Sequence, residues 1–475
     1  MSPHGPLGGS ANFPLCADST SGGLRLPEVA VAPTSGGKSR PGAPVQGRRM
    51  RHGVEPATER ESPMTQLSEY LVRVGIDWAS ESHQICIVDQ DGHRTEHTVP
   101  HTSAGLAALA TELVALSPED PGRVAVAIEV PRGAVVDTLL ERGLHVFALN
   151  PKQLDRFRDR HTVAGAKDDR RDAFVLADSL RTDRPAFRRV HLDDPLIVEL
   201  RELSRLDDDL REELSRLSNR LREQLHRFCP DTLALCPAAD EPWFWALLDR
   251  ALTPPRPKPV SIKAVTAVLK VHRIRRLTVD TVHAALQVPP LRVAPGTLEA
   301  ACAHIALLLP RLRLVHDQRT RTVGARIDTL LAALAKEDVE GEHRDVTILR
   351  SLPGVGRLVA ATVLAEASRP LAERDYQTLR AHAGAAPVTR QSGKKAIVSM
   401  RRACNPRLRN AVYHWARVSV QVDPRCRVHY DRLRQGGHEH ARALRGVADR
   451  SLGVLMAMLT SRTLYDPERR CEKAA

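Results

Sequence analysis

Acidic residues follow two apolar segments of this chain, where burial would otherwise disfavour charge. Asp77 follows the apolar residues 74–76, and Glu129 follows the apolar segment 124–128. An unpaired charge at the end of a buried strand is costly, so such residues call for a partner. Clustered carboxylates hold divalent cations, which prefer oxygen ligands and neutralise charge on a phosphodiester under attack. The two positions therefore point to metal-assisted chemistry on a phosphate ester.

A third acidic stretch opens a predicted helix at about residue 169. Asp169 and Asp172 are three residues apart and share one helical face, whereas Asp168 points elsewhere. Acidic residues in a first helical turn also favour the helix dipole without any metal, and one acid at a strand end is often a turn or cap residue. Because Asp77, Glu129, Asp169 and Asp172 occur together in this order of elements, a metal site is favoured over these structural roles.

The elements that would position these carboxylates alternate between strands and helices. Three strands at 71–77, 84–88 and 94–99, with Asp91-Gly92 as a hairpin turn, precede a helix at 103–116. A strand at 124–130, a helix at 134–142 ended by Gly143 and a strand at 145–149 follow. Three antiparallel strands followed by β–α–β units are the pattern of an RNase H-like mixed sheet.

A long helix is predicted at 195–228. Its apolar positions are spaced 3-4-4-3-4-4-3, a repeat of eleven residues that keeps the stripe nearly straight along the helix: Leu203, Leu206, Leu210, Leu214, Leu217, Leu221, Leu225 and Phe228. Such a coiled-coil-like stripe is either an oligomerisation seam or the contact face of a helix packed on its own chain, and we favour self-association. Another helix is predicted at 312–337, and residues 229–300 receive no assignment.

The positive charge is concentrated in one segment. The chain carries a formal charge of +13, and residues 390–450 hold fifteen Lys/Arg against four Asp/Glu, a surplus of 15 − 4 = 11. A concentrated basic surface favours a nucleic-acid partner over ordinary solubility charge or anionic lipid. The eight cysteines form no CxxC pair, which argues against a zinc ribbon or disulfide framework and favours a reducing cytoplasm. No apolar run reaches the roughly eighteen residues of a membrane span.

Two glycine-containing segments of the second half are candidates for DNA contact and chemistry. Leu352-Pro353-Gly354-Val355-Gly356 is typical of a helix-hairpin-helix turn, in which backbone N–H groups face a phosphate. Ser392 lies beside Gly393 in a predicted loop, where a cation or base would have to activate its hydroxyl. Taken alone, the turn favours contact with the DNA backbone over a plain helix connection, whereas a Ser-Gly pair in a basic segment is usually an ordinary loop. The DNA contacts we predict in this half are Gly354, Gly356, Arg390, Lys394, Lys395, Arg401 and Arg402.

The chain resembles the DEDD transposases of the IS110 insertion-sequence family (also named after IS116 and IS902). The resemblance rests on the Gly-Ile-Asp strand at 75–77, the Ile-Glu pair at 128–129 and Lys-x-Asp-x-x-Asp-Ala at 167–173. In the second half it rests on Leu-Pro-Gly-Val-Gly at 352–356, the Gly-x-x-Pro stretch at 384–387, the Ser-Gly pair at 392–393 and Asn-x-x-Leu-Arg at 405–409. Two separate motif sets therefore agree, in the family's order.

The resemblance implies a RuvC-like domain whose metal ligands are Asp77, Glu129, Asp169 and Asp172, binding Mg²⁺ or Mn²⁺. It also implies that Ser392 is a nucleophile that attacks DNA through a covalent phosphoserine. Further implied partners are the DNA of the element ends and target, a structured guide RNA from the element, and other copies of the chain. In the family, one active site combines domains of different subunits, so a dimer pairing into a tetramer is implied.

These inferences predict five segments in a cytoplasmic, nucleoid-associated bacterial protein. They are a disordered extension (1–63), a RuvC-like domain (64–190), a helical connector or oligomerisation region (191–344), a C-terminal transposase domain with the helix-hairpin-helix (345–462), and a tail (463–475). Alternative functions are a junction-resolving or RNase H-like nuclease that uses water, a helix-hairpin-helix glycosylase, and an inactive domesticated DNA-binding protein.

Overall fold

The computed structural model describes residues 70–161, 168–252, 258–336, 343–393 and 395–468. The predicted extension 1–63 and the end of the predicted tail, 469–475, lie outside the described residues. In the described part, a mixed α/β sheet is followed by a mostly helical region, as the sequence predicted.

Six strands of the described chain form one mixed sheet in the order β3-β2-β1-β4-β5-β6. The strands are β1 (Val72–Asp77), β2 (Ser82–Val88), β3 (Arg94–Pro100), β4 (Val124–Ile128), β5 (His145–Ala148) and β6 (Arg188–Arg189). The first three are antiparallel, β4 and β5 run parallel to β1, and β6 is antiparallel to β5. This arrangement is consistent with an RNase H-like sheet. Strand β4 ends two residues earlier than predicted, so Glu129 lies just beyond it.

Helices cover both faces of this sheet. On one face, α1 (Ser103–Ala115) and α2 (Ala134–Glu141) pack over side chains such as Val74 and Ile76. On the other face lie α3 (Pro151–His161) and α4 (Asp169–Thr182). Gly143, with φ 81°, follows α2 in the left-handed conformation that ends helices.

The long helix α5 (Pro195–Phe228) has the predicted bounds. Asp194 caps its first turn by accepting a hydrogen bond from Leu196 N–H at 2.7 Å, and Pro195 has no N–H to leave unsatisfied there. Four short helices fill the segment that the sequence left unassigned: α6 (Pro230–Ala234), α7 (Pro242–Ala251), α8 (Ile262–Val271) and α9 (Val279–Gln287). They enclose a core built around Trp243, Phe244 and Trp245.

A second long helical stretch runs antiparallel to α5. It consists of α10 (Thr297–Asp317), a π-helical turn (Gln318–Val323) and α11 (Gly324–Leu334). Its direction follows from two ion pairs, Arg326–Glu199 and Arg319–Asp207, which join the later residues of this stretch to the earlier ones of α5. The helix predicted at 312–337 therefore begins fifteen residues earlier, and Pro310 lies inside it.

The leucine stripe of α5 packs largely within its own chain. Leu214, Leu217, Leu221 and Leu225 are buried in a core shared with α6–α10, whereas Leu206 is 43% exposed. The first half of α5 instead contributes to the core of the C-terminal region. The described stripe thus matches the alternative of a helix packed on its own chain, and the oligomerisation role of residues 191–344 stays a prediction.

The C-terminal region is helical apart from one hairpin. Its helices are α12 (Asp345–Ser351), α13 (Arg357–Glu366), α14 (Ser368–Ala372), α15 (Tyr376–His382), α16 (Pro406–Val422), α17 (Pro424–Gln435) and α18 (His440–Ser461). Between α15 and α16, β7 (Val388–Ser392) and β8 (Lys395–Ser399) pair as an antiparallel hairpin. Among the described residues of the whole chain, no helix has the length and apolar character needed to cross a bilayer.

Candidate active site

Two of the predicted carboxylates lie at the same edge of the sheet. Strands β1 and β4 are parallel neighbours with Gly75 opposite Ala127 and Ile76 opposite Ile128. Continuing this register by one residue brings Asp77 beside Glu129. Since adjacent strands are about 4.8 Å apart, the two carboxylates leave the backbone side by side.

Both side chains belong to the face covered by α4. Val74 and Ile76 lie in the core under α1 and α2, so alternation along the strand directs Gly75 and Asp77 to the opposite face. Ala127 packs with residues of α4 in the core on that opposite face, and the same alternation directs Glu129 there. The strand ends therefore present their charges toward α4.

Helix α4 is docked tightly on β1 because Gly75 has no side chain. A Cβ at Gly75 would lie 1.8 Å from the carbonyl oxygen of Ala173 and 2.7 Å from the nitrogen of Ala177, so any larger residue would displace the helix. Burial lowers the pKa of Arg73, and the charge of Arg181 near the end of α4 lowers it further. Helix α4 thus runs antiparallel to β1, and its first turn extends toward Asp77.

The first turn of α4 holds its acidic residues in different environments. Asp168 is the N-cap and accepts a hydrogen bond from Arg170 N–H at 3.2 Å, which explains this residue without a metal. Asp169 is exposed, whereas Asp172 is only 1% exposed. Of the two α4 ligands predicted from the sequence, one is therefore open to solvent and one is enclosed.

Asp172 is held by a bidentate ion pair that the sequence did not reveal. Arg158 of α3 donates from Nε to Asp172 Oδ1 at 2.5 Å and from Nη2 to Oδ2 at 2.7 Å. These hydrogen bonds raise the pKa of Arg158 despite its partial burial, and the charges of Asp172, Asp155 and Glu129 raise it further. Arg158 therefore balances negative charge at this edge, and Glu129 lies near enough to raise the pKa of Arg158.

The donor set suits a hard divalent cation, with one condition. Asp77, Glu129 and Asp169 offer carboxylate oxygens, the ligands that Mg²⁺ and Mn²⁺ prefer. Each oxygen of Asp172 accepts a hydrogen bond from Arg158, whose positive charge opposes a cation there, so ligation by Asp172 is favoured once this guanidinium moves away. No three of the four predicted carboxylates have ligand oxygens within 4.8 Å of one another in the described residues, so the strand ends and α4 must come closer before they can share one cation.

The two groups that do meet this distance have local explanations. Asp89, Asp91 and His93 lie in the exposed β2–β3 turn, where Asp89 accepts hydrogen bonds from the backbone and ring of His93. In the other group, with Cys236 and Asp240, Glu241 already accepts hydrogen bonds from Arg276 and Trp243. Neither group adjoins the predicted carboxylates in the fold.

Ser392 is the last residue of β7, at the tip of an exposed hairpin. The prediction that Ser392 lies in a loop is therefore wrong: Ser392 belongs to a strand and pairs with Lys395 across a two-residue turn. Gly393, with φ 55°, supplies the left-handed conformation that such turns require at their first position. The Ser392 side chain is exposed, which leaves its hydroxyl accessible to a substrate.

The hairpin carries basic and apolar residues on an open surface. Arg390 is exposed on β7, and Ile397 and Val398 of β8 are 64% and 58% exposed. Arg402 is exposed as well, whereas Arg401 is half-buried and its Nε has no hydrogen-bond partner among the described residues. Lys394 and the side chain of Lys395 lie outside the described part.

The two glycines of the turn between α12 and α13 have different surroundings. Gly354, with φ 83°, lies against α16, where a Cβ would be 2.7 Å from Ser419 Oγ. Ser419 Oγ and Trp415 Nε1 both donate to the carbonyl oxygen of Pro353, at 2.7 and 3.0 Å. Gly356 is exposed before the first turn of α13, with no atom within 4 Å of a Cβ built there. A phosphate therefore has room at Gly356, whereas Gly354 packs the turn onto α16.

A mixed sheet with acidic side chains at one edge, followed by a basic helical region, is consistent with an enzyme that acts on nucleic acids. Family profiles match both halves: a DEDD transposase profile of IS110 elements covers residues 74–230. A transposase profile of the IS116/IS110/IS902 family covers residues 346–431.

Individual relatives agree with these profiles. A putative transposase of Sinorhizobium fredii (y4uE) is 47% identical over 236 residues, which span 49% of this chain and 65% of that protein. The mini-circle putative transposase for IS117 of Streptomyces coelicolor is 33% identical over 83% of this chain and 95% of its own length. An uncharacterized 42 kDa protein of insertion element IS900 from Mycobacterium paratuberculosis is 28% identical over 83% of this chain and 97% of its own length. This chain belongs to the IS110 family of insertion-sequence transposases.

Proposed function

We propose that this transposase cuts and rejoins DNA at the ends of its element and at the target, with Ser392 as the nucleophile. The observation that supports the proposal is the gathering of acidic side chains from β1, the end of β4 and α4 on one face at one sheet edge. The carboxyl ends of parallel strands are where α/β proteins commonly bind their ligands. The exposed hairpin supplies a hydroxyl that can approach such an edge.

In this proposal, Asp77 and Glu129 hold a divalent cation, Mg²⁺ or Mn²⁺, from the strand ends, and Asp169 joins them from α4. Asp172 completes the set once Arg158 has left its two oxygens. When bound, the cation supplies neutralisation of phosphate charge and stabilises a developing alkoxide. The strand ends hold Asp77 and Glu129 in place beforehand, which reduces the entropic cost of binding the cation, whereas Asp172 joins them only after a rearrangement.

The serine step exchanges one phosphate ester for another. Ser392 Oγ forms a bond to phosphorus and loses its proton to solvent, while the bond from phosphorus to one deoxyribose oxygen breaks and that oxygen takes up a proton. Arg390, two residues before Ser392 on β7, lies on the same side of the strand and neutralises phosphate oxygens. Attack by a sugar hydroxyl of another strand then releases Ser392, so rejoining needs no ATP.

We propose further that Ser392 meets the carboxylates of another copy of the chain, within a dimer that pairs into a tetramer. The exposed Ile397 and Val398 support this assignment, because they give each face of the hairpin an apolar side chain that a partner would cover. The basic surplus of residues 390–450 supports binding of DNA and of a structured guide RNA. With these partners, we place the protein at the nucleoid in the bacterial cytoplasm.

A plasmid excision assay with Asp77→Asn and Ser392→Ala variants tests the proposal. Each variant alone is expected to lose excision, and only Asp77→Asn keeps the hydroxyl needed for a covalent DNA adduct. A mixture of the two variants should recover part of the activity, because one copy supplies Ser392 and the other the intact carboxylates. Cleavage by Ser392→Ala without an adduct would instead indicate a nuclease that uses water.

Failure of the mixture to recover activity would place both halves of the site in one chain. Full activity of Ser392→Ala or of Asp77→Asn alone would remove that residue from the mechanism. A Ser461→Ala variant is a suitable control for Ser392→Ala, because Ser461 ends α18 and its hydroxyl bonds only to its own helix and Thr463 among the described contacts.

A further inference from the structure

An exposed tryptophan directly follows the first predicted metal ligand. Trp78 comes immediately after Asp77 and is 42% exposed, whereas most large aromatic side chains avoid such exposure. It belongs to the four-residue connection between β1 and β2, at the edge where β1 and β4 end. No step of the proposed reaction uses this indole.

The indole rests on a rigid support. The rings of Trp78 and His83 are stacked, with centroids 6.4 Å apart and an interplanar angle of 27°. His83 is fully buried, and its Nδ1 accepts a hydrogen bond from Ala79 N–H at 3.4 Å. Its Nε2 therefore carries the proton and donates to His101 Nδ1 at 2.9 Å. One face of the Trp78 indole thus stacks on the His83 ring, whose orientation is fixed by its two hydrogen bonds.

The connection itself is also anchored. His101 N–H donates to the carbonyl oxygen of Glu81 at 2.8 Å, which ties the end of the connection to the residue after β3. Burial lowers the pKa of His83, and the neighbouring His101 lowers it further, so the supporting ring stays neutral at physiological pH. The support for Trp78 is therefore both fixed and uncharged.

We propose that Trp78 is a stacking platform for an unpaired nucleobase next to the phosphate under attack. An aromatic face binds any base, because every base has a π-face. Trp78 and Asp77 are adjacent in the chain, with Cα atoms about 3.8 Å apart, so a base on this platform would flank a phosphate held at Asp77. Trp78 leaves the strand on the side opposite to Asp77, which suits a flanking base better than the reacting phosphate itself.

This inference rests on the proposed function, because it needs a strand of nucleic acid at the carboxylates. It adds that the strand is locally unpaired there, with one base removed from its stack. Unstacking costs a few kcal/mol in a duplex, and stacking on an aromatic side chain returns part of this cost. The unpaired base can belong to DNA or to RNA, and the experiment below separates these sources.

Intrinsic fluorescence isolates this side chain from the other tryptophans. The chain has four tryptophans, and the three others, Trp243, Trp245 and Trp415, are at most 1% exposed. A base that stacks on Trp78 should quench the exposed, red-shifted part of the emission. The titration uses the full chain with Ca²⁺ in place of Mg²⁺, and compares gapped DNA, fully paired DNA of the same sequence and RNA with the same unpaired bases.

We expect quenching by the gapped DNA but not by the paired duplex, and its loss in Trp78→Phe, which retains an aromatic ring. Trp78→Ala should bind the gapped DNA roughly ten- to a hundredfold more weakly by fluorescence anisotropy, with little change for the paired duplex. Val271→Ala, which truncates an apolar side chain that is 76% exposed on α8, is the matched control and should change neither signal. Quenching by RNA alone would assign the stacked base to RNA.

Binding of gapped DNA and of the RNA without quenching by either would overturn the inference, as would equal quenching by the paired duplex or quenching that persists in Trp78→Phe. Unchanged affinity of Trp78→Ala for every ligand would overturn it as well. A wild-type chain that binds none of the nucleic acids by anisotropy would refute the proposed function itself. The two failures are therefore distinguishable.

Discussion

Replacing Arg158 tests whether Asp172 is a metal ligand or only a structural partner. In Arg158→Met, the Asp172 carboxylate stays 1% exposed but loses both of its described hydrogen bonds. Leaving one member of a buried ion pair alone costs about 3–5 kcal/mol. Because the Arg158 side chain is 24% exposed, we expect the lower end, about 3 kcal/mol, in a metal-free buffer.

A cation bound at the carboxylates should compensate for this loss. Binding to the folded state adds RT ln(1 + [L]/Kd), which is about 2.7 kcal/mol when the free cation exceeds its Kd a hundredfold. In the wild type, Arg158 and the cation compete for the oxygens of Asp172, so the stabilisation by Mg²⁺ should be smaller. Arg158→Met should therefore be less stable than the wild type in EDTA and should gain more from Mg²⁺.

Thermal unfolding in EDTA and in millimolar Mg²⁺ measures both effects. Arg160→Met is the matched control on α3, because Arg160 pairs with the partly exposed Asp183 and such pairs contribute about 0–1 kcal/mol. The double variant Arg158→Met/Asp172→Asn should lose the extra response to Mg²⁺. An equal Mg²⁺ shift in the wild type, Arg158→Met and the double variant would refute the assignment of Asp172 as a ligand.

Three further substitutions have expected outcomes. Gly75→Ala forces α4 away from β1, since its Cβ would lie 1.8 Å from Ala173 O. The free energy of unfolding in urea should fall by an amount near the upper end of the usual range of about 1–3 kcal/mol for overpacking, and excision should be lost. Gly356→Asp places a negative charge at the N-terminus of α13, where it stabilises the helix but repels phosphate. DNA affinity measured by anisotropy should therefore fall about tenfold, while the melting temperature does not fall. The control Gly356→Ala should keep the DNA affinity and the melting temperature of the wild type. Arg319→Met leaves the buried Asp207 unpaired and should cost about 3 kcal/mol in urea unfolding, whereas an apolar replacement of both residues should recover most of it.

Five strands and three helices of the sheet domain were predictable because each has a strong local pattern, whereas α3 and the two-residue strand β6 were not predicted. The bounds of α5 follow from Asp194 and Pro195 at its start and from an unbroken apolar spacing to Phe228. The helices α6–α9 were missed because they are short and lie in a Pro-rich segment, whereas the similarly short α2 lies between two clear strand patterns. Their core depends on Trp243, Phe244 and Trp245, whose neighbours come from distant parts of the chain.

Only the acidic residues of the candidate site were predictable from the sequence. Charge at the end of an apolar strand signalled Asp77 and Glu129, and helical spacing joined Asp169 to Asp172. Arg158 was missed because its partner lies on another helix, and no local pattern in α3 distinguishes it from neighbouring arginines. The hairpin at Ser392 was missed because its strands are short and exposed, so they lack the alternation of a half-buried strand.

The substitutions proposed above fall into two groups: those that should change both stability and activity, and those that should mainly change activity. Asp172 and Ala173 are adjacent on α4, so the residue that docks the helix on Gly75 also fixes the position of the enclosed carboxylate. Changes at Gly75 or Arg158 must therefore alter stability and activity together. Ser392 is exposed and Trp78 is 42% exposed, so their loss should reduce function with a smaller loss of stability than Gly75→Ala causes. Trp78→Ala or Ser392→Ala could instead lower the melting temperature as much as Gly75→Ala does. In that case the loss of function would follow from unfolding, and the assignment of both residues to substrate contact would lose its physical basis.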